Sequence, residues 1–318
     1  MQRIGILRGG VSEEYDLSLK TGANVQRALH DAGLEAVDML LDKEGVLHIK
    51  GIPADMEDAK QSVDKVWNAL HGSFGEDGQI QALLDINAIP YTGAPFQTAE
   101  LAFDKQRAKN HAKALGIDTP QSILIIPEGN ESVSEVSQRI YKTMAPPWVL
   151  KPLSGGASLR TYFAFTPLDL AQFVEESIHN HEPFLAEQYI YGREAAVGVI
   201  DHFRNQETYA LPVVEVQSPS RGILSNEMRN GEEDYARLHG GFSADERDTL
   251  SELAKRLHKH FGAKDYSQSE FIVDKRGKPW FIELDTHPHL TNNAPFLVAL
   301  DAVGATLQEF VKSVVEEK

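Results

Sequence analysis

The period of apolar and polar positions changes repeatedly along the chain, and each change marks an element. Residues 3–8 form a short β-rich run ending in Gly9-Gly10, and apolar positions Leu19, Val25 and Leu29 predict a helix from about Leu17 to Ala32. Strand, glycine turn and helix in that order open a doubly wound α/β domain. Further strands are predicted at 37–41, 65–70 and 88–91, and the turn cluster Tyr91-Thr92-Gly93-Ala94-Pro95 closes the first domain. A helix from about Thr98 to Leu115 stops at Gly116, with Pro120 just beyond. Strands at 122–126 and 148–152 flank a helix near 132–143; a helix at 167–178 and strands at 185–190, 193–200 and 209–216 follow. Residues 217–243 are polar without a period, and a loop that long in a compact domain is expected to be functional or disordered. An amphipathic helix at 244–262, a hairpin and a C-terminal helix from about 297 to 316 complete the chain. The pattern is α/β first, then α+β twice.

The hairpin carries the sharpest chemistry. Ser269-Glu270-Phe271-Ile272-Val273-Asp274 and Pro279-Trp280-Phe281-Ile282-Glu283-Leu284-Asp285 flank a four-residue, glycine-containing link. With Asp274 facing Pro279, Glu270 falls opposite Glu283, and Asp285 shares their face. Like charges directly across a ladder destabilise it, so three carboxylates on one face imply a bound cation. All-oxygen ligands suit Mg²⁺, with Mn²⁺ second. The alternative is a hairpin with a wet acidic face.

Composition narrows the setting. The chain has 318 residues, 42% of them hydrophobic, enough for two or three domains. No apolar run approaches the ~20 residues of a membrane span, and the N-terminus has no signal-peptide layout, so no membrane association is expected. The absence of cysteine excludes disulfides and thiolate metal sites and fits a cytoplasmic setting. A net charge of −16 argues against nucleic acid as the main partner, while leaving a local nucleotide site open.

Four more segments carry candidate chemistry. His71-Gly72-Ser73-Phe74-Gly75-Glu76-Asp77-Gly78 lets backbone approach a ligand, or is a turn with a helix cap. Lys151, at a strand end before Pro152-Leu153-Ser154-Gly155-Gly156-Ala157-Ser158, could cradle phosphates, or the segment is a plain surface loop. The strand end at Glu187-Gln188-Tyr189-Ile190 could offer an adenine edge its backbone, with Glu194 for ribose hydroxyls; an ordinary hairpin is the alternative. His287 and His289, just past the carboxylates, could join a transition-metal site.

Taken in order, these motifs resemble the ATP-grasp superfamily and, within it, the D-alanine–D-alanine ligases. The resemblance is carried by Gly9 to Glu14 with Leu17-Ser18-Leu19, His71-Gly72 through Gly78-Gln79-Ile80-Gln81, Pro90-Tyr91-Thr92-Gly93 and Asp104-Lys105. It continues through Val149 to Pro152, Glu187, Gly192-Arg193-Glu194, Leu211 to Glu215 and Ile282-Glu283-Leu284-Asp285-Thr286. It implies an ATP-grasp fold: a Rossmann-like domain at 1–95, and α+β subdomains at 96–184 and 185–318 that clasp ATP, with 217–243 as a lid. It implies that Lys105 and Lys151 hold phosphates, Glu187 and the Ile190 backbone hold adenine, and Glu194 the ribose. Glu270, Glu283 and Asp285 would hold two Mg²⁺, and Glu14 the ammonium of the first amino acid. Ser158 and Arg229 fall at the catalytic serine and lid lysine, and His71, Arg160 and His289 on the substrate side. The implied reaction joins two D-alanines through an acyl phosphate, for peptidoglycan precursors, in a cytoplasmic homodimer.

The chain departs from the family pattern on the amino-acid side. Gln268 stands where the family has an arginine that stabilises the tetrahedral intermediate, and losing one such donor typically costs about 10²–10³ in rate. Glu270 replaces an aspartate and Asp285 an asparagine. Gly156-Ala157-Ser158-Leu159-Arg160 replaces Gly-Ser-Ser-x-Gly, Arg229-Asn230 a Lys-Tyr pair, and Pro288-His289 a Pro-Gly. Either the acceptor differs, with Arg160, His289 and Gln268 recognising it, or the chain binds ATP without ligase turnover. Arg160 is a candidate substitute for the missing cation.

Overall fold

The computed structural model describes residues 2–127, 131–155, 160–217 and 235–316. The first sheet has the order β4-β3-β2-β1-β5, from β1 (Arg3–Gly9), β2 (Glu35–Leu41), β3 (Leu47–Ile49), β4 (Ile52–Pro53) and β5 (Lys65–Asn68). β1 runs parallel to both neighbours, β2 and β5. Helix α1 (Tyr15–Asp31) lies on β1, and it buries Leu17, Val25 and Leu29 while Leu19 is only half-buried. α2 (Met56–Ser62) and α3 (Gln79–Ile86) complete the layer. The strand predicted at 88–91 is only an isolated bridge, Val66 to Tyr91.

The helix predicted from Thr98 to Leu115 is two, α4 (Phe96–Phe103) and α5 (Lys105–Ala114). Asp104 breaks it: its backbone is extended (φ −84°, ψ 104°) and its side chain caps the Arg107 N–H. The break makes Lys105 the first residue of α5, and its N–H donates to Leu153 O at 3.1 Å.

A second, antiparallel sheet of order β6-β9-β7-β8 comprises β6 (Ser122–Ile125), β7 (Trp148–Pro152), β8 (Tyr162–Ala164) and β9 (Phe184–Gln188). Helices α6 (Val133–Thr143) and α7 (Pro167–His179) pack on each other beside it, both opened by capping boxes.

The third sheet follows the order β13-β12-β10-β14-β15, with β11 also on β10. Its strands are β10 (Gly192–Asp201), β11 (Thr208–Ala210), β12 (Val214–Val216), β13 (Ala236–Leu238), β14 (Tyr266–Asp274) and β15 (Pro279–Asp285). The strand predicted at 209–216 is thus two pieces. The end of the predicted 217–243 loop is strand β13, paired with β12; residues 218–234 lie outside the described residues. Helix α8 (Ala244–Phe261) covers one face. The predicted C-terminal helix is split by Gly304 (φ 66°) into α9 (Pro295–Ala302) and α10 (Leu307–Glu316).

One core cluster joins the two ends of the chain. Trp67 of β5 stacks on Tyr266 of β14 (centroids 5.7 Å apart) and meets Phe310 of α10 edge-on at 6.0 Å. Aromatic pairs in these geometries add about 0.5–1.5 kcal/mol beyond their area. They anchor the first sheet against the third and so fix the cleft between them.

Candidate active site

The β14–β15 register is the foundation of the site. Val273, not Asp274, faces Pro279, so the premise of the predicted register is off by one residue. A β-bulge between Glu270 and Phe271 inserts Ile282 as an extra residue on β15, and beyond it Glu270 faces Glu283 after all, with Gln268 opposite Asp285. Without the bulge Glu270 would face Ile282, and the acidic residues of β15 would turn to the other face. Gln268, Glu270, Glu283 and Asp285 therefore form a square on one face, with Glu194 of β10 diagonal to Glu270.

Two cavities meet over this square and share Lys105, Gly155, Glu194, Glu270 and Glu283. The first contains Lys151, Glu187 and Ile190. The second contains Glu14, His71, Glu76, Gln268, Asp285 and His289. Burial and then repulsion from Glu283 hold the Glu270 carboxyl well above its ordinary range; burial and then Glu76 do the same to Asp285.

The first cavity contains a buried charge cluster. Lys109 and Lys151 both donate to Glu187, one to each carboxylate oxygen, the Lys151 contact being 3.0 Å. Burial alone would raise Glu187, but the two ammoniums outweigh it and pull the carboxyl down to about 2. Burial pulls Lys109 down to about 8 despite Glu187. Lys105 is also depressed by burial, while Glu187 and Glu283 overcome burial at Lys151 and hold it up. One carboxylate thus serves two ammoniums, with a third, Lys105, beside them, and the surplus positive charge suits an anion.

In the second cavity, Gly72 (φ 72°) lets Glu14 approach: a Cβ there would lie 3.0 Å from Glu14 Oε1. His71 is buried, its Nδ1 3.1 Å from Glu76 Oε1 and its Nε2 3.0 Å from Thr21 Oγ1. Burial lowers the imidazole and pushes Glu76 up to about 8. His289 is held by Tyr235 and Thr291 at 3.0 and 2.9 Å. His287 points elsewhere, its Nε2 only 2.8 Å from where a Gly93 Cβ would sit.

Among the described residues, no group of three or more His, Asp or Glu side chains is drawn together tightly enough to hold a metal ion by itself. The two histidines therefore do not complete a transition-metal site. Arg160 forms an ion pair with Glu182 at 2.6 Å and lines a neighbouring cleft with Glu13 and Glu14, away from Gln268. Ser158 and Arg229 lie outside the described residues.

The family models for the D-ala D-ala ligase N-terminus and C-terminus match residues 48–94 and 112–316. The chain belongs to the D-alanine–D-alanine ligase family. It is 31% identical over 317 residues to the D-alanine–D-alanine ligase of Aquifex aeolicus (strain VF5), covering 98% of this chain and 99% of that protein. The solved D-alanine–D-alanine ligase from Coxiella burnetii superposes with a TM-score of 0.84 at 20% identity, covering 99% of this chain and 94% of that one. The Bacillus anthracis ligase complexed with ATP does so at 0.79 and 22%, covering 99% and 97%. These structures show the same mixed α/β ATP-grasp fold.

Sequence reasoning passed over three residues of this D-alanine–D-alanine ligase family site. Lys109 lies one turn beyond Lys105, and that i, i+4 spacing was the available signal. Glu76 lies in the glycine-rich segment that either approaches a ligand or turns into a helix; Asp77 accepts from the Phe74 and Gln79 N–H groups, while Glu76 turns to His71. Tyr235 follows the undescribed stretch, and no local pattern marks it.

The Glu76 carboxyl gives a pH prediction. Its folded pKa, about 8, lies above the ordinary carboxyl value of 4.5, so its stabilising contribution is complete below the lower value and is lost as pH rises through the upper one. The ligand-free Glu76→Gln protein should melt above wild type at about pH 9 and show a flatter fall from about pH 5. Parallel melting curves for the two proteins would refute this assignment.

Proposed function

We propose that the chain is an ATP-dependent ligase that joins two D-alanines into D-alanyl-D-alanine, a peptidoglycan precursor. The observation that carries this reading is the pair of cavities meeting over Glu270 and Glu283, lysine-rich on one side and lined by Glu14 and His71 on the other. We divide the chain at residue 95 and after β9 (Phe184–Gln188), whose pairing with β6 and β7 moves the second boundary past the expected residue 184, so that ATP lies between the second and third units. Lys105 and Lys151 hold the phosphates, Ile190 lies along adenine and Glu194 takes the ribose. Glu187 binds adenine with lone pairs left over from Lys109 and Lys151, and chiefly keeps those ammoniums in place.

Mg²⁺ fits the donor set. Glu270, Glu283 and Asp285 are all-oxygen ligands whose mutual repulsion a hard cation would relieve, and Mg²⁺ characteristically uses a few carboxylates plus substrate phosphates rather than an all-protein cage. When bound, it neutralises charge on the phosphates during transfer. Glu14 binds the first D-alanine's ammonium and turns its carboxylate toward the γ-phosphate. Phosphoryl transfer gives the acyl phosphate and ADP. The second amine then forms the C–N bond, phosphate leaves with the C–O electrons, and one amine proton is released. Burial of the cleft protects the acyl phosphate from water. Among the described residues no helix is long and apolar enough to cross a membrane, which is compatible with the cytoplasmic homodimer that family membership suggests.

The purified protein is expected to release ADP from Mg·ATP on addition of D-alanine, with the dipeptide detected by mass; EDTA should abolish this and Mg²⁺ restore it. ADP release stimulated only by another amino acid would change the substrate. No release, with Mg·ATP still protecting the fold against heat, would identify a nucleotide-binding paralogue.

A further inference from the structure

Gln268 is only 5% exposed, and it sits at the corner of the carboxylate square that faces the amino-acid end of the cleft. Its Nε2 donates to Glu270 Oε1 at 3.3 Å, while its Oε1 is buried without a hydrogen-bond partner. A buried amide oxygen left unpaired costs about 1–3 kcal/mol.

Its neighbours do not supply the missing donor. Across the ladder, Gly198 of β10 has no side chain and Asp285 of β15 is a carboxyl that makes no such bond. The two imidazoles of the cleft are engaged at both ring nitrogens, His71 by Thr21 and Glu76, His289 by Tyr235 and Thr291. The surrounding wall is mostly carboxyl groups, with Glu14, Glu76, Glu270, Glu283 and Asp285 facing the same space, while the Lys105 ammonium that shares it is committed to Gly155 O. Crowded carboxyls favour an incoming N–H group over a carboxylate, so the group that satisfies Oε1 arrives with the substrate.

We propose that Gln268 Oε1 accepts a hydrogen bond from the amine of the second amino acid and orients that nitrogen for attack, while Nε2 remains on Glu270. The proposal rests on the ligase reading above and assigns Gln268 to the acceptor rather than to the oxyanion. A neutral acceptor suits this task. A carboxylate would stabilise the protonated, non-nucleophilic ammonium, and a guanidinium would offer only donors and repel it.

The test separates the two half-reactions in the full-length protein. Hydroxylamine trapping of the acyl phosphate reports ATP use and the first D-alanine; dipeptide formation adds the second. Gln268→Met, of similar size, removes Oε1 together with the Nε2 bond to Glu270; it should raise the KM for the second D-alanine about tenfold, the worth of one hydrogen bond, and lower dipeptide formation by a larger factor than hydroxamate formation. Gln268→Glu should shift the alkaline rise of dipeptide synthesis to higher pH, and Gln268→Arg should lose dipeptide while keeping hydroxamate. Protection against heat by Mg·ATP verifies that each variant folds. Equal loss of hydroxamate and dipeptide in Gln268→Met, or faster turnover in Gln268→Arg, overturns the proposal in favour of an oxyanion or structural role. A wild-type protein yielding neither product removes the ligase reading itself.

Discussion

Replacing Glu283 with alanine is expected to lower ligase turnover by about 10³-fold, several kcal/mol of charge stabilisation, without weakening the ligand-free fold. Glu283 lines both cavities and faces Glu270 directly. Its charge helps to hold the Glu270 and Asp285 carboxyls above their ordinary range, after burial. With nothing bound, its loss relieves that repulsion and also removes its attraction for Lys105 and Lys151, so the melting temperature near pH 8 should change little. A large loss of activity at little change in stability is what a binding site under electrostatic strain produces. The checks are kcat, the Mg²⁺ concentration giving half-maximal rate, and a thermal melt. A variant that keeps near-wild-type kcat at an unchanged Mg²⁺ requirement would refute a metal-binding role for Glu283.

The second large effect is on the nucleotide side. Lys109→Met should destabilise the fold by about 3–5 kcal/mol, the usual cost of removing one partner from a buried ion pair. Lys109 and Glu187 are both buried, and each oxygen of Glu187 is committed to a different lysine. Among the described residues, Lys151 would be left as its one charged partner. The Glu187 carboxyl, down at about 2, contributes stability that is present above the ordinary carboxyl value of 4.5 and lost as pH falls toward 2. In Lys109→Met that acid loss should begin at higher pH. Affinity for ATP should fall as well, because the unshared Glu187 carboxylate would draw Lys151 away from the phosphates. Denaturant titrations at about pH 7 and pH 4, with nucleotide binding followed separately, test both parts. Lys109→Arg is expected to recover part of the stability but less of the affinity, since the planar guanidinium must fit a space shaped for an ammonium. A melting curve unchanged from wild type would show that the pair contributes little to the fold.

Local patterns were sufficient for most elements. Period-2 and period-3.6 apolar runs, glycine stops and capping residues located β1, α1, β7, α7 and α8 to within a residue or two, and the β14–β15 hairpin with β14 starting three residues earlier than expected. They failed where a break depends on one residue's cap or on a distant neighbour. Asp104 looks like any polar helix position, yet its cap divides α4 from α5 and sets Lys105 against Leu153. Helices α9 and α10 part at Gly304, and the separated α10 packs on α1.

By itself, the order of motifs from Gly9 to Thr286 determined the family, because glycine turns, lysines at strand ends and paired carboxylates are local features. The tertiary structure decided what those groups face. Alternation along two strands could suggest that Glu270 and Glu283 meet, but only a bulge that inserts Ile282 makes them do so. Gln268 could be read as a weak substitute for a cation; its orphaned oxygen and its bond to Glu270 are consequences of burial between three strands. Lys109 acquires its role from Glu187, 78 positions away in the sequence. Charge cost and hydrogen-bond satisfaction depend on desolvation and on partners brought together across the chain, and a linear pattern contains neither.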